Sequence, residues 1–398
     1  MLVPQSTGVM KQLLKEFKPV FNKPQYRNFS TYITGLIAIE GKKNIKNINN
    51  AFTEHRDQST LNRFITEPSW SLQRLEEKRL ELAMKGLPVK PGFTGTLIID
   101  DTITKKTGKK MEYTGYHYDH TEGKAVMGHS LVTSHYVNGD SEYPVGLRLY
   151  VKRDTCVEEG LPFRTKIQLA VDQIKEFKAP RGANTVVAFD MWYFCGKVVE
   201  AARSRGFDWV TQAKSNRIIK WRGARMNVTE LAESVSAASF KQVKLGDDVY
   251  FLRGFNVWMN VVGKVRLVVS REEDGFHFYV SNRTDWSVGR VVAAYKRRQS
   301  VEVYIRDVKQ NLGLGEYQAR RGRGAIIHWH LVITAYTLLA LLRRSLVSSD
   351  GRLCRIVRTV GDVCRWVRKQ CLRRLVDVVM AMTRRHAKPG TVYRMLQI

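Results

Sequence analysis

The sequence predicts a mixed α/β core flanked by helical regions, and three observations carry that prediction. Two short apolar runs of β type, Leu97–Ile99 and Thr185–Phe189, each end in carboxylates: Asp100 and Asp101 after the first, Asp190 after the second. Strand-like and helix-like stretches around them follow the order β, β, β, α, β, α, β, opening with a hairpin. A later stretch, Tyr295–Lys309 (YKRRQSVEVYIRDVK), has the period of an amphipathic helix. On one continuous helix, Tyr295, Arg298, Glu302 and Lys309 would fall within an arc of roughly 60°. Val301, Ile305, Val308 and Leu312 occupy the adjoining arc, the side that would face a core. One acid would then stand at the edge of a buried face, ringed by Arg, Lys and a phenol. By itself, Arg298 with Glu302 is also an ordinary i,i+4 pair on a solvated stripe.

Residues 1–90 read as helical. Phe29, Tyr32, Ile33, Leu36 and Ile37 have helical spacing, and Gly41 with Lys42 and Lys43 breaks it. Short helices are predicted at Ile45–Phe52 and Gln58–Ile65, separated by Glu54–Asp57, and another at Ser71–Met84. Short helix, tight turn, short helix suits a helix-turn-helix DNA reader, and equally an ordinary bundle. Lys85–Gly95, rich in Pro, Gly and Lys, marks a boundary.

From residue 91 to 213 the α/β core begins. After Asp101 comes a basic loop, Lys105–Lys110. Tyr113, Tyr116, His117, Tyr118 and His120 follow, and basic and aromatic residues mixed in this way suit a groove that tracks a nucleic-acid strand. Asn138-Gly139 between His129–Val137 and Tyr143–Val151 is a hairpin signal. Helices are expected at Arg164–Phe177 and Cys195–Arg205, the latter stopped by Gly206, and a strand at Asp208–Ala213. Residues 214–290 break the alternation. Four β-rich runs, Val249–Leu252, Val257–Val262, Val265–Ser270 and Phe276–Ser281, look like an all-β insertion. The core resumes over 291–345. Its Ala325–Leu342 stretch is apolar for about 18 residues, near the short limit for a membrane span. Because it carries His328, Trp329 and His330, a buried core helix is the expectation. Residues 346–398 read as a basic helical region. From Arg343 onward there are 14 Lys and Arg against three Asp. Ile356, Val360, Val363, Val367, Cys371 and Val378 supply an apolar stripe for docking, with a positive outward face suited to phosphates.

The bulk numbers narrow the function. The 398 residues carry a formal net charge of +29, and a folded chain this basic normally meets a polyanion. Hydrophobic content of 43% argues against wholesale disorder. The five cysteines show no C-x-x-C pair, so neither a disulfide framework nor a zinc site is suggested. The amino terminus lacks the apolar run of a signal peptide. The cysteine usage fits a reducing cytoplasm. His129, His135, His328 and His330 show no metal-ligand spacing.

Two strand-end acids and a helical Glu form the ligand set that hard divalent cations favour, with positions left for water and phosphate. Such carboxylates would repel one another without cations. Two Mg²⁺ ions, which Mn²⁺ could replace, would activate the attacking water or 3′-hydroxyl and stabilise the leaving oxygen. Tyr295, Arg298 and Lys309 would grip phosphates.

On these residues the chain resembles the insertion-sequence transposases of the DDE superfamily, which have a ribonuclease-H-like catalytic core. The resemblance rests on the acids of IIDDT and VVAFDMW and on a Y-x2-R-x3-E-x6-K signature, met in full by Tyr295, Arg298, Glu302 and Lys309. It covers roughly residues 1–345. It implies that Asp101, Asp190 and Glu302 are the catalytic and metal-binding triad, with Asp101 preferred because it directly precedes Thr102. Asp100 would then point to the opposite face. It also implies cut-and-paste transposition by a homodimer acting on double-stranded DNA, both terminal inverted repeats and target. Relatives that cut through a hairpin intermediate hold a flipped base with tryptophans. One of these follows the signature arginine, where this chain has Gln299. Trp258 and Trp286 of the insertion are expected to pack in the β region instead. Two alternatives stay open: a catalytically inactive DNA-binding protein derived from a transposase, and a ribonuclease-H-like nuclease of DNA repair.

Overall fold

In this computed structural model, residues 8–53, 57–87, 89, 92, 94–108, 110–349 and 355–396 are described. Part of the expected break at Glu54–Asp57 lies outside them. The chain divides into two compact units, each assembled from separated stretches. One comprises residues 1–88, 103–130 and 304–398; the other comprises 89–102 and 131–303.

The first unit is mainly helical. It holds α1 (Gly8–Lys15), α2 (Lys23–Ala38), α3 (Ile45–Asn50), α4 (Gln58–Thr66) and α5 (Leu72–Gly86). The three short helices fall where periodicity placed them, because each start carries a cap. Asn44, Asp57 and Ser71 accept from the backbone N–H groups of Asn47, Ser59 and Arg74, satisfying donors the first turn leaves free. At the unit's centre is α12 (Gly322–Ser349). It is apolar enough to cross a membrane, with mean hydropathy 1.8, yet 89% of its most apolar window is buried within the protein. Helices α2, α4, α5 and α13 (Val360–Arg384) pack around it. It is the core helix the sequence suggested.

Its histidines serve the packing. His328 is fully buried, with Nδ1 2.7 Å from the Tyr32 hydroxyl and Nε2 2.9 Å from the Gly313 carbonyl. Nε2 must therefore be the donor, and burial pushes the imidazole down to about 3. In α13, Val360, Val363, Val367 and Cys371 are buried as expected, whereas Ile356 is exposed. Beyond Cys371 the outward face is not purely basic, since Leu372, Val376 and Met380 are half-exposed along it. The last helix is α14 (Pro389–Leu396). The aromatic stretch after the basic loop forms β2 (Gly115–Asp119), antiparallel to the Lys124–Gly128 end of β3 (Lys124–Asn138).

The second unit is built on a mixed sheet. Its strands run β3, β1 (Thr94–Lys105), β5 (Asn184–Phe189), β6 (Asp208–Gln212), β12 (Gly275–Ser281), β11 (Gly263–Glu272), β10 (Asp248–Met259), β7 (Ile218–Trp221) and β8 (Ala224–Asn227). Beside β3 lies β4 (Ser141–Tyr150), and beside β10 lies β9 (Lys241–Leu245). The β3–β4 turn is the expected Asn-Gly hairpin, with Gly139 at φ 58° where a side chain would be strained. Strands β1, β5 and β6 are parallel. Leu97, Ile98, Ile99 and Val186–Phe189 are buried, as a strand covered on both faces requires. Gly95 has its own reason: a Cβ there would lie 1.8 Å from the Tyr136 hydroxyl. Helices α6 (Arg153–Glu158), α7 (Lys166–Glu176), α8 (Gly196–Ser204) and α9 (Val228–Glu233) complete the strand–helix alternation.

Four expectations are corrected. The Leu97–Ile99 run does not end at its carboxylates, since β1 continues through Asp100 and Asp101 to Lys105. Val249–Leu252 and Val257–Val262 are not separate strands. β11 pairs continuously with Phe251–Met259, and that unbroken ladder carries β10 through Arg253–Asn256. Trp258 is half-exposed rather than packed, while Trp286 is buried with the Arg290 guanidinium 4.4 Å from its ring centre. Finally, Tyr295–Lys309 is not one helix. Helix α10 (Val288–Lys296) ends and α11 (Gln299–Leu312) begins across Arg297 and Arg298. There the amides of Arg298, Ser300 and Val301 each bond three residues back, a tighter turn than the α-helix. Both arginines turn to β1 instead: Arg297 reaches the Thr94 carbonyl at 2.5 Å, and Arg298 reaches Asp100. On α11 the buried residues are Val301, Tyr304, Asp307, Val308 and Leu312, with Ile305 only half-buried.

Candidate active site

The parallel pairing of β1 with β5 sets the site. Ile99 lies level with Phe189, the last pair of that ladder, and Asp100 and Asp190 are the next residue of each chain. Asp190 is near enough to Asp100 for its charge to push the Asp100 carboxyl up. Strand β5 stops there because the Tyr193 N–H bonds back to the Asp190 carbonyl, closing a tight turn over Met191–Tyr193.

Arg298 then joins the sheet to the helix. Its Nη2 donates to Asp100 Oδ2 at 3.0 Å and its Nη1 to Glu302 Oε1 at 2.9 Å. Glu302 itself stays open, its side chain 56% exposed. Asp101 is held elsewhere. Lys166 Nζ donates to its Oδ2 at 2.6 Å, and the buried Tyr193 hydroxyl donates to its Oδ1 at 3.2 Å. The Asp101 N–H in turn donates to Asp100 Oδ1 at 3.0 Å.

Tyr295 lies inward, its hydroxyl donating to Gln212 Oε1 at 3.0 Å. Burial pushes its phenol well above the usual range. Lys309 stands two turns beyond Glu302 on α11 and is exposed.

The electrostatics follow from the burial. Asp100 is pushed up to about 6, chiefly by desolvation. Arg298 pulls it down, but the neighbouring charges of Asp101 and Asp190 push it further up. The signature arginine is raised: burial opposes its charge, and Asp100, Tyr295, Asp190 and Glu302 together outweigh that. These acids thus have more negative charge than one guanidinium neutralises. Hard oxygen donors short of cation charge fit a divalent metal. Among the described residues, the one group whose ligand atoms all lie within 4.8 Å of one another is Glu272, Asp274 and His277, on the β11–β12 hairpin. Asp100, Asp101, Asp190 and Glu302 are not gathered that closely.

The sequence reading drew Arg298 and Glu302 together correctly. It missed Asp100 as the partner of Arg298, and it missed Lys166 and Tyr193. Tyr193 left one readable signal, the aromatic pair one residue beyond a strand-end acid in FDMWY.

Residues 16–228 match the model of the DDE superfamily endonucleases. The chain belongs to that family. It is 28% identical over 166 residues to a probable transposase for insertion sequence element IS701 from Microchaete diplosiphon, which covers 41% of this chain. The match spans 43% of that relative's length. In fold the chain is similar to piggyBac transposase, solved in a synaptic complex with hairpin DNA. The TM-score is 0.52 at 12% identity, over 94% of this chain and 76% of that one. The mixed α/β, ribonuclease-H-like architecture is therefore shared.

Proposed function

We propose that the protein is a DNA transposase that excises an insertion sequence and joins its ends to target DNA. The observation that carries this reading is the Arg298 clamp. One guanidinium holds an acid from within β1 and an acid from α11, with Asp190 directly after the end of the adjacent strand β5. Family membership and a surplus of positive charge support it. The acids that would bind metal are Asp100, Asp190 and Glu302, with Asp101 in a positioning role through Lys166 and Tyr193. Register and the Arg298 contact favour Asp100 over the Asp101 of the motif alignment. Two Mg²⁺ ions, or Mn²⁺, would supply activation of the attacking oxygen and stabilisation of the leaving one. Arg298 would hold a phosphate oxygen once the acids take up metal, because its fork matches phosphate in a bidentate way. Lys309 would add a phosphate contact. Tyr295, turned inward to Gln212, would brace α10 rather than touch DNA.

The substrates on this reading are terminal inverted repeats and target DNA, and the active form is a homodimer. The reading also places the protein in a prokaryotic cytoplasm. The test is strand transfer with a plasmid carrying the DNA that flanks the coding region, in Mg²⁺ or Mn²⁺, against Glu302→Gln. Release and joining by the wild type, with binding but no cutting by the variant, is the expected result. If neither protein cuts while both bind with steep salt dependence, the chain binds DNA without acting on it. Equal cutting by both would remove Glu302 from the site.

A further inference from the structure

The second half of α13 carries a surface that neither the core nor the acids use. The first half is docked, with Val360, Val363, Val367 and Cys371 buried. From Leu372 the pattern turns over. Leu372, Val376 and Met380 are 50%, 50% and 48% exposed. They stand four residues apart, so they form one ridge along the helix. Val379 beside the ridge is half-buried. A helix already anchored by its first half thus leaves a row of apolar side chains in water.

Cations bracket this ridge. Lys369, Arg373 and Arg374 come before or beside its start, and Arg384 and Arg385 follow it, all of them exposed. Between Arg374 and Arg384 the chain has no Lys or Arg, and Asp377 is the one charge. At 1.5 Å per residue that stretch runs about 14 Å. The exposed face therefore reads cation, apolar, cation.

That order selects the occupant. A second copy of this chain brings the same cations. Side by side in parallel, Lys369 would meet Lys369; antiparallel about Val376, Arg384 would come opposite Arg368. A nucleic acid has phosphates along its whole length, so it would satisfy the cations and leave the ridge uncovered. Helices that lie in a membrane surface anchor with Trp, Phe or Leu. Here the ridge has no aromatic residue, and Asp377 beside it would face anionic headgroups. The complement is a helix with an apolar ridge of its own and Asp or Glu at both ends.

We propose that α13 docks an acidic amphipathic helix of a partner protein over Leu372, Val376 and Met380, with the partner's carboxylates on Lys369, Arg373 and Arg384. The apolar rows interlock and supply affinity, while the charges at the two ends fix register and exclude basic helices. This surface is separate from the strand-end acids, so the proposal stands whether or not the protein cuts DNA.

The test uses the full-length protein and a labelled synthetic helical peptide with Leu at three positions four apart and Glu at both ends. Binding is read by fluorescence anisotropy. One control peptide has Ser in place of Leu, and another has Lys in place of Glu. Only the parent peptide is expected to bind tightly. Val376→Glu, at a half-exposed position the fold does not need, should weaken it at least about 10-fold, from the worth of one buried apolar side chain. Lys369→Glu combined with Arg384→Glu should move the preference to the Lys peptide. DNA cutting by Val376→Glu should equal that of the wild type.

Equal binding of the Leu and Ser peptides would mean that the chain merely attracts negative charge, and no binding of the Leu peptide would remove the site. Self-association that Val376→Glu abolishes would give the ridge to a second copy. Binding to vesicles of anionic lipid, lost in the same variant, would give it to a membrane. Slower cutting by Val376→Glu would place the ridge in the DNA complex. Each of these outcomes overturns the proposal, and none of them bears on Glu302→Gln, which tests the cutting reading by itself.

Discussion

Each unit contains a carboxylate gripped by an arginine, and the two carboxylates respond in opposite ways. In the first unit Arg79, fully buried, bonds Glu76 through Nη2 at 2.5 Å and Nε at 3.1 Å. His330 stands 3.1 Å from the same acid. Burial alone would raise Glu76, but Arg79 and His330 outweigh it and hold the carboxyl down at about 2. In the second unit burial wins, and Asp100 is pushed up to about 6 despite Arg298. The difference is one of charge balance. Glu76 has two partner residues of its own, Arg79 and His330. Arg298 is shared between Asp100 and Glu302, while Asp101 and Asp190 add repulsion. A closed, balanced cluster suits support of a fold, and an open, anion-rich one suits capture of a cation.

Four outcomes would sharpen or break that contrast. The largest lies in activity: Asp100→Asn should lower cutting on the order of 10³-fold, and Asp101→Asn markedly less, with DNA binding kept in both. The reverse order in a cleavage-rate assay would restore Asp101 as the metal acid. The next lies in stability. Arg79→Ala should cost about 3–5 kcal/mol in denaturant unfolding because it strands Glu76. Arg298→Ala should cost far less, since Asp100 already tends to take up a proton. Equal losses would mean that both clusters hold the fold.

The third outcome concerns acid. Glu76 is depressed in the folded state, so its stabilisation is complete above its ordinary value near 4.5 and is lost as pH falls through about 2. The wild type should therefore exceed Glu76→Gln by about 3 kcal/mol near neutrality, a gap that closes over that window. A gap that does not change with pH would break the argument. The smallest effect is a gain. Asp100 is raised in the folded state, so its charge costs stability above about 6, and the cost is relieved as pH falls from about 6 to 3.8. Asp100→Asn should then stabilise the protein by about 2 kcal/mol at pH 7, and added Mg²⁺ should raise the melting temperature of the wild type but not of this variant.

Much of this was legible in the residues because it is local. Asp190 ends an apolar run, Asn138-Gly139 forces a turn, and Asn44, Asp57 and Ser71 cap helices, all decided within a few residues. What escaped depends on partners far along the chain. Whether Asp100 or Asp101 faces Arg298 is a matter of register between β1 and β5, which neither strand states alone. The turn at Arg297 and Arg298 is favoured by contacts on β1, some 200 residues earlier, which overrode a clean helical period. Lys166 lies on a helix whose apolar face was readable, but nothing in that pattern shows which acid its ammonium reaches.

The way the two units interleave also bears on how the protein is made. The chain passes between them four times, after residues 88, 102, 130 and 303. A ribosome delivering the amino end first releases α1–α5 long before α12, the helix they wrap. β1 waits for β5, and Asp100 meets its arginine only 198 residues after it is made. Folding must therefore be largely post-translational and slow, with apolar surfaces of both units exposed meanwhile. No single cut yields two self-sufficient halves, so truncations chosen from linear boundaries are expected to aggregate rather than isolate a domain.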